Sequence, residues 1–194
     1  LGRSFVNEGQ YDSAISEFQE AIRLKPDFAD AYFDLGLAYD MKGLHDLAMR
    51  QYEEAVKLKP DYAEAYHLLG WAYGTKGLHD LAIRQFEEAI RLRPDNAGAY
   101  YGLGLAYGDK GLYDLAIRQY EEAVRLKPDY AVAYYSLGLA YAIKGLYDLA
   151  IKQYEEVIRL KPDDASAYFY LGVAYANKGL YNVAIGHIET SVLM

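Results

Sequence analysis

The five prolines of the chain lie at one fixed interval. Pro26, Pro60, Pro94, Pro128 and Pro162 are each 34 residues from the next. A single interval that runs through a chain of 194 residues indicates a repeat architecture, in which one small unit is copied and stacked on its neighbours. The repeat therefore constrains the fold more strongly than the composition does.

Counting Ala29 as position 1 brings the same residue types to the same positions in successive copies. All six copies carry Leu at position 7, Gly at positions 8 and 15, and Ala at position 20. This phase predicts a single domain, 1–194, with repeats at about 1–28 (partial), 29–62, 63–96, 97–130, 131–164 and 165–194 (partial). The copies are so alike that recent duplication and consensus-guided engineering would both explain them.

Each repeat is predicted to form two helices joined by a glycine. Residues 63–76 are rich in Ala, Leu and Tyr, and Gly77 supplies a C-terminal stop. Residues 78–93 carry apolar side chains at helical spacing and end before Pro94. Small residues at positions 8 and 20 should let the two helices approach closely. Large residues at positions 4, 11 and 24 should fill the space between neighbouring repeats.

Polar residues around these helices suggest two local interactions. The aspartate that follows each proline, such as Asp61, is placed to cap the next helix. Glu53 precedes Lys57 by four residues, which is the favourable order for an exposed ion pair on a helix. The paired glutamates of the second helices are expected to form a charged exterior rather than an acid–base pair.

The repeat resembles the tetratricopeptide-repeat signature. The matching residues in one copy are Tyr66, Leu69, Gly70, Tyr73, Ala82, Phe86, Ala89 and Pro94. The resemblance covers all 194 residues. It implies an all-α fold, a right-handed superhelical solenoid of helix-turn-helix repeats. It is specific for the fold and says little about the partner, because this scaffold serves many partners.

The tyrosines draw attention to a second stripe on the first helix of each repeat. Most of the 22 tyrosines occupy framework positions, which leaves Tyr101, Tyr135 and Tyr170. Positions 5 and 9 are rotated by about 100° from the core-facing positions 4 and 8 and, except for Arg3 in the first copy, carry apolar or aromatic residues. The predicted groove residues are Phe33, Leu37, His67, Trp71, Tyr101, Leu105, Tyr135, Leu139, Phe169, Tyr170 and Val173.

The resemblance implies that this stripe lines the concave face, where peptides bind in similar proteins. An exposed apolar surface of this kind usually marks an interaction site. The alternative is that the stripe packs against the neighbouring first helix. Acidic residues flank it, and the predicted groove rim is Asp30, Asp34, Asp40, Glu64 and Asp109. These acids favour an apolar ligand with neutral or basic neighbours, or else form a solvated rim that affects association rates more than affinity.

The first helix of residues 97–130 is unusually rich in glycine. Gly98, Gly102 and Gly108 occur there in addition to the framework glycine at position 8. Each interior glycine costs a helix on the order of 1 kcal/mol relative to alanine. The glycines either open a pocket between Trp71, Tyr101, Leu105 and Tyr135, or are neutral changes in a scaffold that its neighbours stabilise.

Several classes of function find no support in the sequence. The chain has no cysteine, its four histidines do not have zinc-motif spacing, and it has no phosphate-binding loop or catalytic constellation. We therefore expect no enzymatic activity, no metal and no cofactor. A net charge of −8 argues against nucleic-acid binding, and no apolar run is long enough to span a membrane. A cytoplasmic location is favoured.

The sequence thus predicts a scaffold or adaptor that binds a peptide or helical segment in an apolar, aromatic groove. Leu1 falls at position 7 and Met194 at position 30 of their repeats, so the terminal repeats are expected to be open. One alternative is a structural module that self-assembles by stacking these ends. Another is that the chain is the repeat arm of a larger enzyme or of a secretion or envelope assembly. Simple fraying of the end helices would need no partner.

Overall fold

A computed structural model describes residues 2–194; Leu1 lies outside the described residues. Twelve α-helices and no β-strand occur in this part of the chain, which confirms the all-α prediction. The helices are α1 (Gly2–Asn7), α2 (Tyr11–Leu24), α3 (Ala29–Met41), α4 (His45–Leu58), α5 (Ala63–Thr75), α6 (His79–Leu92), α7 (Ala97–Asp109), α8 (Tyr113–Leu126), α9 (Ala131–Ile143), α10 (Tyr147–Leu160), α11 (Ala165–Asn177) and α12 (Tyr181–Val192).

The chain divides into two compact units. The first ends at Asp95 and contains three helical hairpins, α1/α2, α3/α4 and α5/α6; the second begins at Asn96 and contains α7/α8, α9/α10 and α11/α12. Within each unit the second helix of one hairpin packs against the first helix of the next, as α4 does on α5 and α8 on α9. Whether residues 1–194 form a single domain stays a prediction.

Glycine ends the first helix of each hairpin as the sequence predicted. Gly77 follows α5 with φ of +72°, a left-handed conformation that glycine adopts without a steric penalty. The Gly77 N–H donates to the Gly74 carbonyl at 2.9 Å, and the Leu78 N–H donates to the Tyr73 carbonyl at 3.0 Å. These two bonds form a Schellman motif, which satisfies the last carbonyls of α5 and turns the chain into α6.

The prediction that the post-proline aspartates cap the first helices is wrong. The N-cap of α5 is Tyr62, and Asp61 lies one residue too early, where its backbone carbonyl accepts the Ala63 N–H at 3.1 Å. A side-chain cap needs a short polar residue, such as Asn or Asp, at the N-cap position itself. Asn96 does so for α7, and Asp164 caps α11 by accepting the Ala167 N–H at 3.0 Å.

Close packing within a hairpin depends on the glycine at position 8. A Cβ built on Gly36 would lie 2.5 Å from the Tyr52 ring, and one on Gly104 would lie 2.5 Å from the Tyr120 ring. No real contact is that short, so the buried ring at position 24 occupies the space that a side chain at position 8 would need. This confirms that small residues let the two helices approach closely.

Polar pairs join successive hairpins at fixed sequence intervals. In the second unit the Tyr141 hydroxyl donates to Glu121 Oε1 at 2.6 Å, and Lys144 pairs with Asp114. In the first unit the Tyr73 hydroxyl donates to Glu53 Oε1 at 2.6 Å. The two adjacent glutamates of α4 and of α8 therefore have different roles, because the first accepts a bond from the next repeat.

The predicted Glu53–Lys57 ion pair is accordingly wrong. Lys57 pairs instead with Glu54, three residues earlier, at 3.2 Å. The Tyr73 hydroxyl already holds the Glu53 carboxylate between the hairpins. The equivalent Glu88–Arg91 and Glu122–Arg125 pairs have the same three-residue spacing.

Candidate peptide-binding face

We use the name first-helix ladder for the residues at positions 5 and 9 of α3, α5, α7, α9 and α11. In the first unit it comprises Phe33 and Leu37 on α3, and His67 and Trp71 on α5, all of them half-buried. The Phe33 ring lies 4.8 Å from the ring of Tyr62. The ladder therefore rests on framework aromatics and presents only part of each side chain to solvent.

A hydrogen bond fixes the orientation of the single tryptophan. The Trp71 indole N–H donates to His67 Nε2 at 3.0 Å, which requires this imidazole nitrogen to be unprotonated. The indole also meets the Phe86 ring edge-on, with the ring centroids 5.6 Å apart. Both neighbours belong to the first unit, so the ring is held in place by packing and by one directed bond.

A cavity of about 390 Å³ opens on the ladder of the first unit. It is lined by Val6, Phe18, Phe33 and Leu37 together with one ion pair. The pair joins Arg3 Nε to Asp34 Oδ2 at 2.6 Å, and hydrogen bonding to Asp34 raises the pKa of Arg3. The wall is therefore apolar, and the charges at its edge are already paired.

The second unit carries the other half of the predicted set. Tyr101 and Leu105 lie on α7, Tyr135 and Leu139 on α9, and Phe169, Tyr170 and Val173 on α11. Phe169 is the most exposed of them at 43%, and the others are half-buried. Tyr170 extends the ladder beyond positions 5 and 9, because its ring meets those of Tyr135 at 5.6 Å and Phe169 at 5.3 Å, both edge-on.

Tyr135 on the ladder of the second unit keeps its hydroxyl proton at neutral pH. Burial, with the adjacent Tyr170 hydroxyl as a further cause, raises the pKa of Tyr135 to about 12. The Tyr101 hydroxyl lies 3.5 Å from Ser136 Oγ. Tyr135 is therefore neutral and able to donate a hydrogen bond at the surface of α9.

Two cavities flank α9 between the ladder residues. One of about 250 Å³ lies beside Leu105 and Leu139, and one of about 370 Å³ lies beside Tyr101 and Tyr135. Ser136 lines both cavities. Sequence reasoning missed the polar residues that complete them, which are Ser136, Lys161, Asp164 and Ser166. These residues do not lie at the ladder positions, so the apolar pattern gave no indication of them.

One of the three additional glycines contributes to the smaller cavity. Gly108 lines its wall, and a Cβ there would meet the Tyr120 hydroxyl at 3.5 Å, an ordinary van der Waals distance. Glycine is therefore not required at this position by close packing against that hydroxyl. The pocket predicted between Trp71, Tyr101, Leu105 and Tyr135 stays a prediction.

Most of the predicted acidic rim is paired within the chain. Asp34 binds Arg3, Asp30 lies 3.7 Å from Lys59, and Glu64 pairs with Arg93. Asp40 accepts the Tyr52 hydroxyl at 2.7 Å and contacts His45 at 3.1 Å. Asp109 lines the smaller cavity of the second unit. The negative electrostatic potential beside the first-helix ladder is therefore weaker than the number of acidic residues in the sequence suggests.

Family models described as "TPR repeat" and "Tetratricopeptide repeat" both match the chain. The first matches residues 2–43, 41–77 and 140–179, and the second matches residues 67–131 and 104–159. The chain belongs to the tetratricopeptide-repeat family. Membership of this family identifies it as a repeat scaffold for protein–protein interaction. No curated protein matches the sequence.

Solved tetratricopeptide-repeat structures share the fold. A crystal structure of MamA is 35% identical, with a TM-score of 0.78, over 81% of this chain and 92% of that one. MamA from residue 41 to its end, from Desulfovibrio magneticus RS-1, is 25% identical, with a TM-score of 0.79, over 84% and 93%. YrrB, described as a TPR protein with an unusual peptide-binding site, is 26% identical, with a TM-score of 0.79, over 90% of both chains.

Two further observations concern residues 2–194 only. No three His, Asp or Glu side chains of this part are grouped so that they could hold a metal ion. The longest of its helices have 14 residues, and none combines the length and apolar composition needed to cross a bilayer.

Proposed function

We propose that the chain is a non-catalytic scaffold that binds a peptide or helical segment of a partner protein on the first-helix ladder. The observation that carries this proposal is the pair of cavities on either side of α9. A ligand that follows the ladder of the second unit would find two places for side chains, each walled by ladder residues. Half-buried, preorganised aromatic side chains are the type of surface on which binding energy concentrates.

The lining of the two cavities suggests the chemistry of the ligand. The smaller one, with Leu105, Leu139 and Ile143, suits an apolar side chain. The larger one, with Lys161, Asp164 and two serines, suits a polar or mixed segment. The remaining acids favour neutral to basic neighbours in the ligand. Binding of protein rather than nucleic acid and a cytoplasmic location are part of this proposal, and the likeness to YrrB, a peptide-binding repeat protein, supports it.

Retention of partners by a ladder variant tests the proposal. The immobilised chain and its Tyr101→Ala/Tyr135→Ala variant would be compared for the proteins that each retains from a cell extract, after circular dichroism shows equal helix content. Tyr181→Ala is the matched control, because it removes an exposed tyrosine of α12 that is not on the ladder. We expect the double variant to lose proteins that the wild type and the control retain. Equal retention by all three would contradict the proposal.

Self-association through α12 is the second candidate function. Ile185 is 53% exposed, whereas Ile117 and Ile151 at the equivalent positions of α8 and α10 are 8% and 7% exposed because the next first helix covers them. A second copy could cover this apolar face. Sedimentation over a wide concentration range distinguishes the candidates: an oligomer that Ile185→Glu dissociates would support self-association, and a monomer throughout would reject it.

A further inference from the structure

The second helices of the second unit begin with exposed leucine pairs. Leu112 and Leu115 precede and open α8, and Leu146 and Leu149 do the same for α10, with exposed fractions between 37% and 42%. Residues three apart in this way lie on one face of a helix. The exposure is nearly the same in both hairpins, so the stacking of the next hairpin does not bury the leucines. We call these four residues the leucine edge.

The fold does not require leucine at these positions. In the first hairpin the equivalent residues are Gln10 and Ser13, and α2 forms there with Gln10 as its N-cap. Exposing four leucine side chains where polar ones would serve is unfavourable for solubility. The leucine edge also lines neither of the cavities on the first-helix ladder. It is therefore separate from the surface that carries the proposed function.

A basic residue stands one turn after each leucine pair. In α8 it is Arg118, three residues beyond Leu115. The acids of this helix are all engaged, because Asp114 pairs with Lys144, Glu122 with Arg125, and Glu121 accepts the Tyr141 hydroxyl. Within the described residues Arg118 has no ion-pair partner.

The next hairpin repeats this arrangement. Lys152 lies three residues beyond Leu149 in α10. Asp148 pairs with Lys178, Glu156 pairs with Arg159 at 2.7 Å, and Glu155 accepts the Tyr175 hydroxyl at 3.4 Å. Lys152 has no ion-pair partner in the part of the chain that the structure describes. A chain with a net charge of −8 thus keeps an uncompensated positive charge beside each leucine pair.

We infer that the leucine edge of the second unit binds an amphipathic helix of a partner protein, with apolar side chains on one face and carboxylates beside them. Charge complementarity selects this occupant, since the margin of the edge is basic. A helix presents apolar anchors every three or four residues, the spacing at which the leucines themselves occur. The leucines are less than half exposed, which gives a shallow surface unsuited to insertion into a bilayer. A second copy would bring the same basic residues to the interface.

The test uses a designed probe on the whole chain. The probe is a synthetic, fluorescently labelled helix of about 20 residues with leucines along one face and glutamates beside them. Its control has the same composition in scrambled order. Leu44, Leu47, Leu78 and Leu81 of the first unit are 36–43% exposed at the equivalent positions, so every protein compared, including the reference called wild type below, carries Leu44→Gln/Leu47→Ser/Leu78→Gln/Leu81→Ser. Affinity is measured by anisotropy for this reference and for a quadruple variant of it, Leu112→Gln/Leu115→Ser/Leu146→Gln/Leu149→Ser, which installs the residues that the first hairpin already tolerates.

We expect the quadruple variant to bind the probe roughly tenfold more weakly than the wild type, with unchanged helix content. Arg118→Gln/Lys152→Gln should weaken binding and reduce its dependence on salt, which keeps the inference testable even if the quadruple variant fails to fold. The ladder variant Tyr101→Ala/Tyr135→Ala should bind the probe as the wild type does. The inference about the leucine edge and the proposal about the first-helix ladder can therefore be rejected independently of each other.

Several outcomes would overturn the inference. Equal affinity of the wild type and Arg118→Gln/Lys152→Gln for the probe would show that the basic residues do not contribute to binding. Equal affinity of the wild type for the probe and its scrambled control would show that the edge does not recognise the apolar face of a helix. Flotation of the chain with phosphatidylserine vesicles, without binding of the probe, would assign the edge to a membrane. A wild-type dimer that the quadruple variant converts to a monomer would assign it to a second copy.

Discussion

Replacing Tyr154 with phenylalanine should stabilise the second unit, whereas the same replacement at Tyr52 should destabilise the first. Both tyrosines occupy position 24, and both side chains are fully buried. The Tyr52 hydroxyl donates to Asp40 at 2.7 Å. Twelve residues before Tyr154 the chain has Ala142 instead, and the buried Tyr154 hydroxyl has no hydrogen-bond partner among the described residues.

The magnitudes follow from what each hydroxyl does. A buried polar group without a partner costs about 1–3 kcal/mol, so Tyr154→Phe should raise the free energy of unfolding by about 1 kcal/mol once the small loss of contacts is included. A hydrogen bond to a charged acceptor contributes about 1.5–3 kcal/mol. Tyr52→Phe should lower the free energy of unfolding by about 1–2 kcal/mol. The loss is smaller than the full contribution because Asp40 keeps its contact with His45.

Thermal unfolding followed by circular dichroism checks both variants. For a chain of this length 1 kcal/mol shifts Tm by about 2–4 °C, so the two variants should move Tm in opposite directions by measurable amounts. Ala142→Asp should also raise Tm, because it gives the Tyr154 hydroxyl a carboxylate acceptor like the one that Tyr52 has in Asp40. A Tyr154→Phe variant that unfolds as early as Tyr52→Phe would refute the reasoning, because the hydroxyl would then have a stabilising partner.

Three more predictions concern the scaffold. Gly104→Ala should lower the free energy of unfolding by about 1–3 kcal/mol because its Cβ would meet the Tyr120 ring. Gly186→Ala should raise it by up to about 1 kcal/mol, because a Cβ there would lie in open space. Denaturant unfolding compares the two variants. Asp164→Ala should lose about 1 kcal/mol with the cap of α11, measured the same way. The pKa of Tyr73 is raised to about 12, mainly by burial and also by Glu53. As the pH rises, this hydroxyl therefore ionises in the unfolded chain before it ionises in the folded chain. Unfolding measured at a series of alkaline pH values should show the free energy of unfolding falling between about pH 10 and pH 12.

The features that repeat every 34 residues could be predicted from the sequence. The glycine stops and the close approach at position 8 follow from residue type alone, because a left-handed φ and a missing Cβ leave few alternatives to glycine. The side-chain caps of the helices were harder to predict. Helix boundaries depend on where the chain leaves the turn, and a shift of one residue moved the cap from Asp61 to Tyr62.

Contacts between hairpins were harder to predict than contacts within them. The Tyr73–Glu53 bond joins residues 20 apart, and the Lys76–Asp46 pair joins residues 30 apart. These intervals recur along the sequence, but only the stacking geometry shows that the side chains meet. For the same reason the residues of the ladder could be chosen from their positions, whereas the polar walls of the cavities could not. Ser136 is the example, because it lines both cavities and carries no periodic signal.

Hydroxyl-radical footprinting of the chain with a captured partner tests the central claim most directly. The reaction reports the solvent accessibility of aromatic side chains, and the chain has tyrosines both on and off the ladder. We predict that the partner protects Tyr101, Tyr135 and Phe169 while the exposed Tyr181 of α12 reacts as in the free chain. Protection of Tyr181 with unchanged reactivity of the three ladder residues would contradict the account.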